Sequence, residues 1–216
     1  MSDFDLNKPG VLDQMREQQW HQPGHPEAAA QRLATARKLK ELNDLANTEP
    51  ERARQLVAEL LNSDGSATVM APAAIEYGVN TFLGRDVFLN FGVTILDSAE
   101  VHIGDRSGIA PNCQLITVGH PVDDVAMRRG GWERAQPIHI GADVWIAAGV
   151  IIFPGVTIGD RSVIGAGSLV TKDIPADCLA MGAPAKVVRQ LDPPARRERD
   201  QLPEGAPVVP RPGELF

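Results

Sequence analysis

Along the middle of the chain an aliphatic residue recurs at every sixth position. Ile140, Ile146, Ile152, Ile158, Ile164 and Val170 form an unbroken series. An earlier series runs Tyr77, Leu83, Leu89, Ile95 and Val101, then slips by two to Ile103, Ile109 and Leu115. A small or turn-forming residue often follows, as at Gly84, Asn90, Gly104, Ala110, Gly141, Ala147, Gly159 and Gly165. A helix repeats about every 3.6 residues and a strand about every two, so neither produces this pattern. A period of six is the mark of a hexapeptide β-helix, in which each hexapeptide supplies one strand and one turn. Three hexapeptides close a triangular coil, and the aliphatic residues point inward and stack. Gly, Asn and Asp suit the corners because they tolerate positive φ. The spacing predicts two consecutive coils over 140–157 and 158–175. The fold class expected is mainly β: a left-handed parallel β-helix, an exception to the usual right-handed crossover.

The flanks read differently. Ala53, Leu56, Val57, Leu60 and Leu61 fall on one helix face. Thr48-Glu49-Pro50-Glu51 resembles a capping box at that helix's start, with Pro50 in the tolerant first turn. Leu33, Leu39, Leu42 and Leu45 predict a second amphipathic helix before it. Residues 192–216 carry six prolines among Arg, Asp and Glu, a composition that cannot pack a core and predicts a disordered, Pro-rich tail. The expected organisation is a disordered 1–10, an N-terminal helical region over 11–70, the β-helix over 71–191 and the tail over 192–216.

Composition narrows the function. A formal charge of −7 and a pI near 5.2 argue against nucleic-acid binding, which needs a basic face. No stretch of about 18 apolar residues is present and the start carries no secretory pattern, so neither a membrane span nor export is expected. Cys113 and Cys178 form no CxxC pair and read as small buried residues in a reducing, cytoplasmic setting.

The repeat is interrupted at length once, over 118–137. An insertion in a solenoid leaves the prism as a loop, and such loops often line the binding face. This one carries Gly119-His120-Pro121, Arg128, Arg129, Gly130, Gly131 and Trp132. His120 lies at its base, off the stacked positions. A histidine there can accept a proton from a hydroxyl near pH 7; taken alone, a histidine before proline in a loop reads as a turn residue.

A set of motifs carries a resemblance. These are Glu76-Tyr77-Gly78-Val79-Asn80, Val87-Phe88-Leu89-Asn90-Phe91, Thr94-Ile95-Leu96-Asp97 and Ile109-Ala110-Pro111-Asn112. They continue with Gly119-His120-Pro121, Val144-Trp145-Ile146, the run Pro154 to Asp160, the run Val163 to Pro175 and Met181 to Val187. Over about 74–190 the chain resembles the maltose and galactoside O-acetyltransferases of the hexapeptide transferase superfamily. The ordered set Asn90, His120-Pro121, Trp145 and Val170-Thr171-Lys172 is the specific part. The resemblance implies a cytoplasmic homotrimer with clefts between prisms, acetyl-CoA as co-substrate and no metal. His120 aligns with the catalytic base, which deprotonates an acceptor hydroxyl for direct attack on the acetyl carbonyl. Asn90 and Asp97 match positions facing the acceptor, with Glu76 and Arg128 beside them. Trp145 aligns near the pantetheine, as do Ala147, Ala166 and Thr171, while Lys172, Lys186 and Arg189 point toward the CoA phosphates.

Departures touch the acceptor side. Family members carry an aspartate shortly after an aromatic near the N-terminus; here the stretch is Trp20-His21-Gln22-Pro23-Gly24-His25-Pro26-Glu27. The loop also runs one residue longer, with Trp132 in place of a smaller group. A non-sugar acceptor, such as a xenobiotic alcohol or an amine, therefore stays open, as does a scaffold without activity. So does a γ-carbonic-anhydrase-like zinc site from His102, His120 and His139, although His102 and His139 each precede an inward isoleucine and should face outward. Asp123 and a backbone carbonyl both stay open as the group that orients His120.

Overall fold

The computed structural model describes residues 10–191. The disorder expected for 1–9 and for the tail 192–216 lies outside the described residues. Three parallel sheets wrap around one core as stacked coils of a β-solenoid. Register gives the core its order. On the five-stranded sheet Ile75, Ile95, Leu115, Ile152 and Val170 stand above one another. On the four-stranded sheet Leu83, Ile103, Ile140 and Ile158 do so. Val69, Leu89, Ile109, Ile146, Ile164 and Ala180 form the ladder of the seven-stranded sheet. Each rung is buried, and burying one such aliphatic side chain contributes about 1.5–3 kcal/mol.

The predicted coils over 140–157 and 158–175 are present, with eighteen residues from Ile140 to its partner Ile158. The earlier series needs a correction. Ile75, not Tyr77, occupies the rung beneath Ile95, and Tyr77 packs instead with Val11, Met15 and Ala28 under the helices. The first coils are twenty residues long, as between Ile75 and Ile95. Their two extra residues fall at one corner, between the five-stranded and four-stranded sheets, and the long loop leaves from that same corner.

The helices are α1 (Val11–Arg16), α2 (Pro26–Leu45) and α3 (Pro50–Leu60). Ala53, Leu56, Val57 and Leu60 of α3 join the core cluster beside Ala67 and Val69 and so close one end of the solenoid. On α2 the buried stripe is Ala28, Thr35 and Leu42, with Leu39 and Leu45 partly covered; Leu33 is exposed, contrary to expectation. The capping box does not form. Glu49 is the N-cap of α3 and makes no side-chain cap bond, and the Thr48 hydroxyl donates back to the Leu45 carbonyl (3.3 Å). At the other end, Cys178–Gly182 and Ala185–Gln190 form an antiparallel hairpin on the seven-stranded sheet. Among the described residues no helix is long and apolar enough to cross a membrane.

The corner between the four-stranded and seven-stranded sheets is an exposed ladder of ion pairs. Arg85 meets Asp105, Arg106 meets Asp143 and Arg161 meets Asp177, each at 2.7 Å or closer. Exposed pairs of this kind contribute little, because solvent screens them. Close stacking is the stronger constraint. A β-carbon at Gly104 would stand 2.6 Å from the Ala142 nitrogen of the next coil, whereas one at Gly24 meets nothing within 4 Å. Gly104→Ala is expected to destabilise by about 1–3 kcal/mol, and Gly24→Ala to change stability by less than about 0.5 kcal/mol. Urea unfolding midpoints check this; equal effects at both positions would contradict the stacking argument.

Candidate active site

The corner that receives the extra residues is polar inside. Asp97 is fully buried, and its carboxylate accepts from the Tyr77 backbone N–H (2.8 Å) and the Thr81 hydroxyl (3.0 Å). Asn80 donates to the Asp97 carbonyl (2.8 Å). One coil on, Thr117 donates to the Leu96 carbonyl (2.6 Å) and accepts from the Ala99 N–H (3.0 Å). These bonds satisfy backbone groups that the wider corner would otherwise strand away from water. Asp97 therefore fastens two coils together instead of facing the acceptor, which corrects the sequence-based expectation. Burial raises its pKa, against the hydrogen bonds that favour the anion.

The loop over 118–137 is built, not slack. Val118–Gly119 pairs antiparallel with Arg134–Ala135, and the Gln136 N–H donates to the Thr117 carbonyl at its base (2.7 Å). A short helix, α4 (Val125–Arg129), is capped by the Asp124 side chain. Arg128 turns back to donate to the carbonyls of Pro121 and Val122, so it braces the loop where the resemblance implied an acceptor contact. The N-terminal segment straps the far side. His21 and Glu133 exchange both backbone hydrogen bonds at 3.0 Å, Gln22 reaches the Gly130 carbonyl (2.7 Å), and Arg134 reaches the Gln18 carbonyl (2.8 Å).

His120 stands exposed on this frame. Its Nδ1 lies 2.9 Å from the Trp132 carbonyl. A carbonyl only accepts, so Nδ1 carries the proton and Nε2 the lone pair. Of the two supports open for Nδ1, the backbone carbonyl is the one found, and Asp123 is not. Nε2 lies 3.9 Å from a carboxylate oxygen of Glu133. Glu76 is nearby and half-buried; burial raises its pKa, the charge of Glu133 raises it further, and Arg32 at 3.9 Å opposes both. Glu133 and His21 as a pair were missed in the sequence. The available signal was a lone acid between Asp124 and Asp143 that alternates with an apolar Ala135.

Known proteins share this architecture. Residues 137–172 match the bacterial transferase hexapeptide model (six repeats), and residues 14–65 match the maltose acetyltransferase hexapeptide capping motif. The galactoside O-acetyltransferase of Escherichia coli K12 is 44% identical over 155 residues, 71% of this chain and 76% of that protein. The chain belongs to the maltose and galactoside O-acetyltransferase family. It is thus an acyltransferase. A solved galactoside acetyltransferase in complex with coenzyme A superposes with a TM-score of 0.81 at 38% identity, over 89% of this chain and 94% of that one. A hexapeptide-repeat acetyltransferase from Vibrio cholerae, complexed with acetyl-CoA, gives 0.78 at 32% identity over 86% of this chain and all of the other.

In this acyltransferase the remaining residues fall on different parts of the prism. Glu76, Asp97, His120 and Arg128 share the loop corner, with Thr171 and Lys172 at its lower end, both exposed. Asn90, Ala147 and Ala166 lie at another corner, between the seven-stranded and five-stranded sheets. Asn90 accepts from the Phe91 N–H through Oδ1 (2.8 Å), so its amide nitrogen is the end able to donate to a ligand. That corner is lined by small residues: the Gly167 N–H donates to the Ala148 carbonyl, and a β-carbon at Gly149 or Gly167 meets nothing within 4 Å. Trp145 lies on the adjacent face, half-exposed, opposite Gly108, where an added β-carbon would come within 3.0 Å of the indole. Lys186 and Arg189 lie exposed on the terminal hairpin. One chain does not bring these groups together. His102 and His139 are also apart from His120: they stack on each other at 4.9 Å on the four-stranded face, and no group of three ligating side chains is placed to hold a metal among the described residues.

The buried Asp97 gives a pH test. Its folded pKa is raised, so the native state favours the protonated form. As pH rises above the ordinary aspartate value of about 4, the unfolded chain ionises first and this contribution to stability is lost. Asp97→Asn is expected to gain stability relative to the parent protein as pH rises from about 4 to 7. Urea unfolding across that range checks the sign; a constant difference would contradict the burial argument.

Proposed function

We infer that this enzyme moves the acetyl group of acetyl-CoA to a hydroxyl of a sugar or a related small acceptor, with His120 as general base. The observation that carries the reading is the geometry of His120. Its Nδ1 proton is held by a backbone carbonyl, which leaves an exposed Nε2 lone pair on a braced loop. The acceptor O–H gives its proton to Nε2 while its oxygen attacks the thioester carbonyl. The tetrahedral oxyanion collapses, the C–S bond breaks, and the CoA sulfur takes the proton back from His120. An N–H donor at the oxyanion lowers the barrier further, a role suited to the amide of Asn90. The CoA-bound and acetyl-CoA-bound relatives support the donor, and the galactoside acetyltransferase relative supports a sugar acceptor.

The distribution of residues supports a homotrimer with shared sites. The base and Asn90 stand at different corners of one prism, so a site using both draws on two neighbours around a closed ring. The small-residue corner with Ala147 and Ala166, together with Trp145 and Thr171, suits a pantetheine arm lying along a prism edge. Lys172, Lys186 and Arg189 are exposed cations suited to phosphates. The two free, buried cysteines fit a reducing cytoplasm.

Release of CoA thiol, measured with acetyl-CoA and a panel of maltose, glucose, galactosides and chitooligosaccharides, tests the reading. Acceptor-dependent release should fall about 10²-fold or more in His120→Ala; full activity in the variant would overturn the mechanism. Co-expression tests the shared site. His120→Ala and Asn90→Ala chains, each inactive alone, should form mixed trimers with about a quarter of parental activity, because that fraction of random interfaces keeps both groups. Absence of recovery in mixed assemblies would place the whole site in one chain.

A further inference from the structure

A carboxylate that faces the lone pair of His120 belongs to a buried pair. Glu133 is almost fully buried, and one of its oxygens lies 3.2 Å from Nε2 of His21, which is itself inaccessible. The other oxygen faces Nε2 of His120 at 3.9 Å. His21 is fixed from its far side, because Nδ1 lies 3.0 Å from the Gln19 carbonyl. That carbonyl only accepts, so Nδ1 holds a proton and Nε2 shares another with the Glu133 carboxylate. The pair is neutral as a unit, which is what makes a buried carboxylate tolerable here. Without His21, Glu133 would lie desolvated near Glu76, whose carboxyl also feels the charge of Asp97 and the opposing cation Arg32. The strap that carries His21 is in turn held to the loop by four further hydrogen bonds.

We propose that Glu133, clamped by His21, is a positioning residue for His120. Its free oxygen faces the proton that His120 collects from the acceptor, so the strap from the N-terminal region belongs to the catalytic device. The inference rests on His120 being the base. It also gives the His21 stretch, which departs from the family pattern, a task in the chemistry instead of at the acceptor. Neutral imidazole has no need of a carboxylate 3.9 Å away; the imidazolium formed in the transition state does.

Proton NMR titration of the intact chain follows His120, one of five histidines, with its resonance assigned from His120→Gln. Glu133→Gln should move the His120 midpoint to lower pH by roughly half a pH unit or more, because an opposing charge is lost. The two amides at position 21 separate clamping from packing. An asparagine amide reaches the Nδ1 position and keeps the Gln19 contact; a glutamine amide reaches the Nε2 position and keeps the Glu133 contact. His21→Asn should therefore move the midpoint in the same direction as Glu133→Gln, and His21→Gln should stay close to the parent protein. An unmoved midpoint in Glu133→Gln, or a His21→Asn curve that is unmoved or shifted upward, overturns the proposal. Should the His21 variants not fold, Glu133→Asp decides: its charge is withdrawn by one carbon, and it should fall between the parent and Glu133→Gln, whereas coincidence with the parent overturns the facing geometry. Acetyl transfer by His120→Ala keeps the two readings apart. Full activity there removes the base, while lost activity with no NMR coupling removes only the clamp.

Discussion

Everything in this protein depends on keeping identical rungs in register through the stack. A parallel solenoid pairs each short strand with the strands above and below, so each coil must return its chain to the same three places. Ile146 can sit on Ile109 and under Ile164 only if the path between them closes evenly. Irregularity is therefore expelled to the corners. Two corners admit no extra residue, with six positions from rung to rung in each coil, and at the one between the four-stranded and seven-stranded sheets Gly104 and Gly141 are so tightly stacked on backbone that a methyl group would collide. The third absorbs two extra residues in the first coils and a whole loop in the next. The catalytic candidate lies at the one place where the repeat permits invention.

That permission has a physical condition. Extra residues at a buried corner bring backbone N–H and C=O groups with them, and unsatisfied groups of this kind cost about 1–3 kcal/mol each. Asn80, Thr81, Asp97 and Thr117 meet the condition from side chains. Their bonds make the corner stiff, and a stiff corner is what a general base needs, since a misplacement of about 1 Å can cost a hundredfold in rate. The polar seam is thus structural in its contacts and functional in its effect.

Much of this was legible in the residue pattern, and the losses have identifiable causes. The six-residue period named the ladders because every rung faces the same core, and position in the repeat determines burial. Tyr77 was misplaced because it lies six residues before Leu83 while the true interval at that corner is eight, from Ile75. Asp97 read as a surface or ligand-facing acid, since nothing local announces that Tyr77 and Thr81, a coil away, will bury it. The loop read as an open insertion. Its order comes from partners far along the chain, and the His21–Glu133 contact spans 112 positions. His120 and Trp145 were named by motif, and the contacts of Arg128 could not be, because its targets are carbonyls within its own loop.

The prism also gives a physical reason for the divided site proposed above. A triangular coil filled with isoleucine has no interior to offer a ligand, and its faces are flat strands with outward side chains. In the proposed homotrimer the concavity would be made between prisms. The loop corner would supply the proposed base with its strap and carboxylate; the small-residue corner would supply a surface that a thin ligand arm can approach. In the proposed homotrimer each corner would meet the other kind on its neighbour, so one fold copied three times would make three equal clefts. In that arrangement the strap and the loop would form the wall that the acceptor meets. The core and the small-residue corner can stay constant while acceptor choice changes, because the register that holds the fold does not pass through either segment.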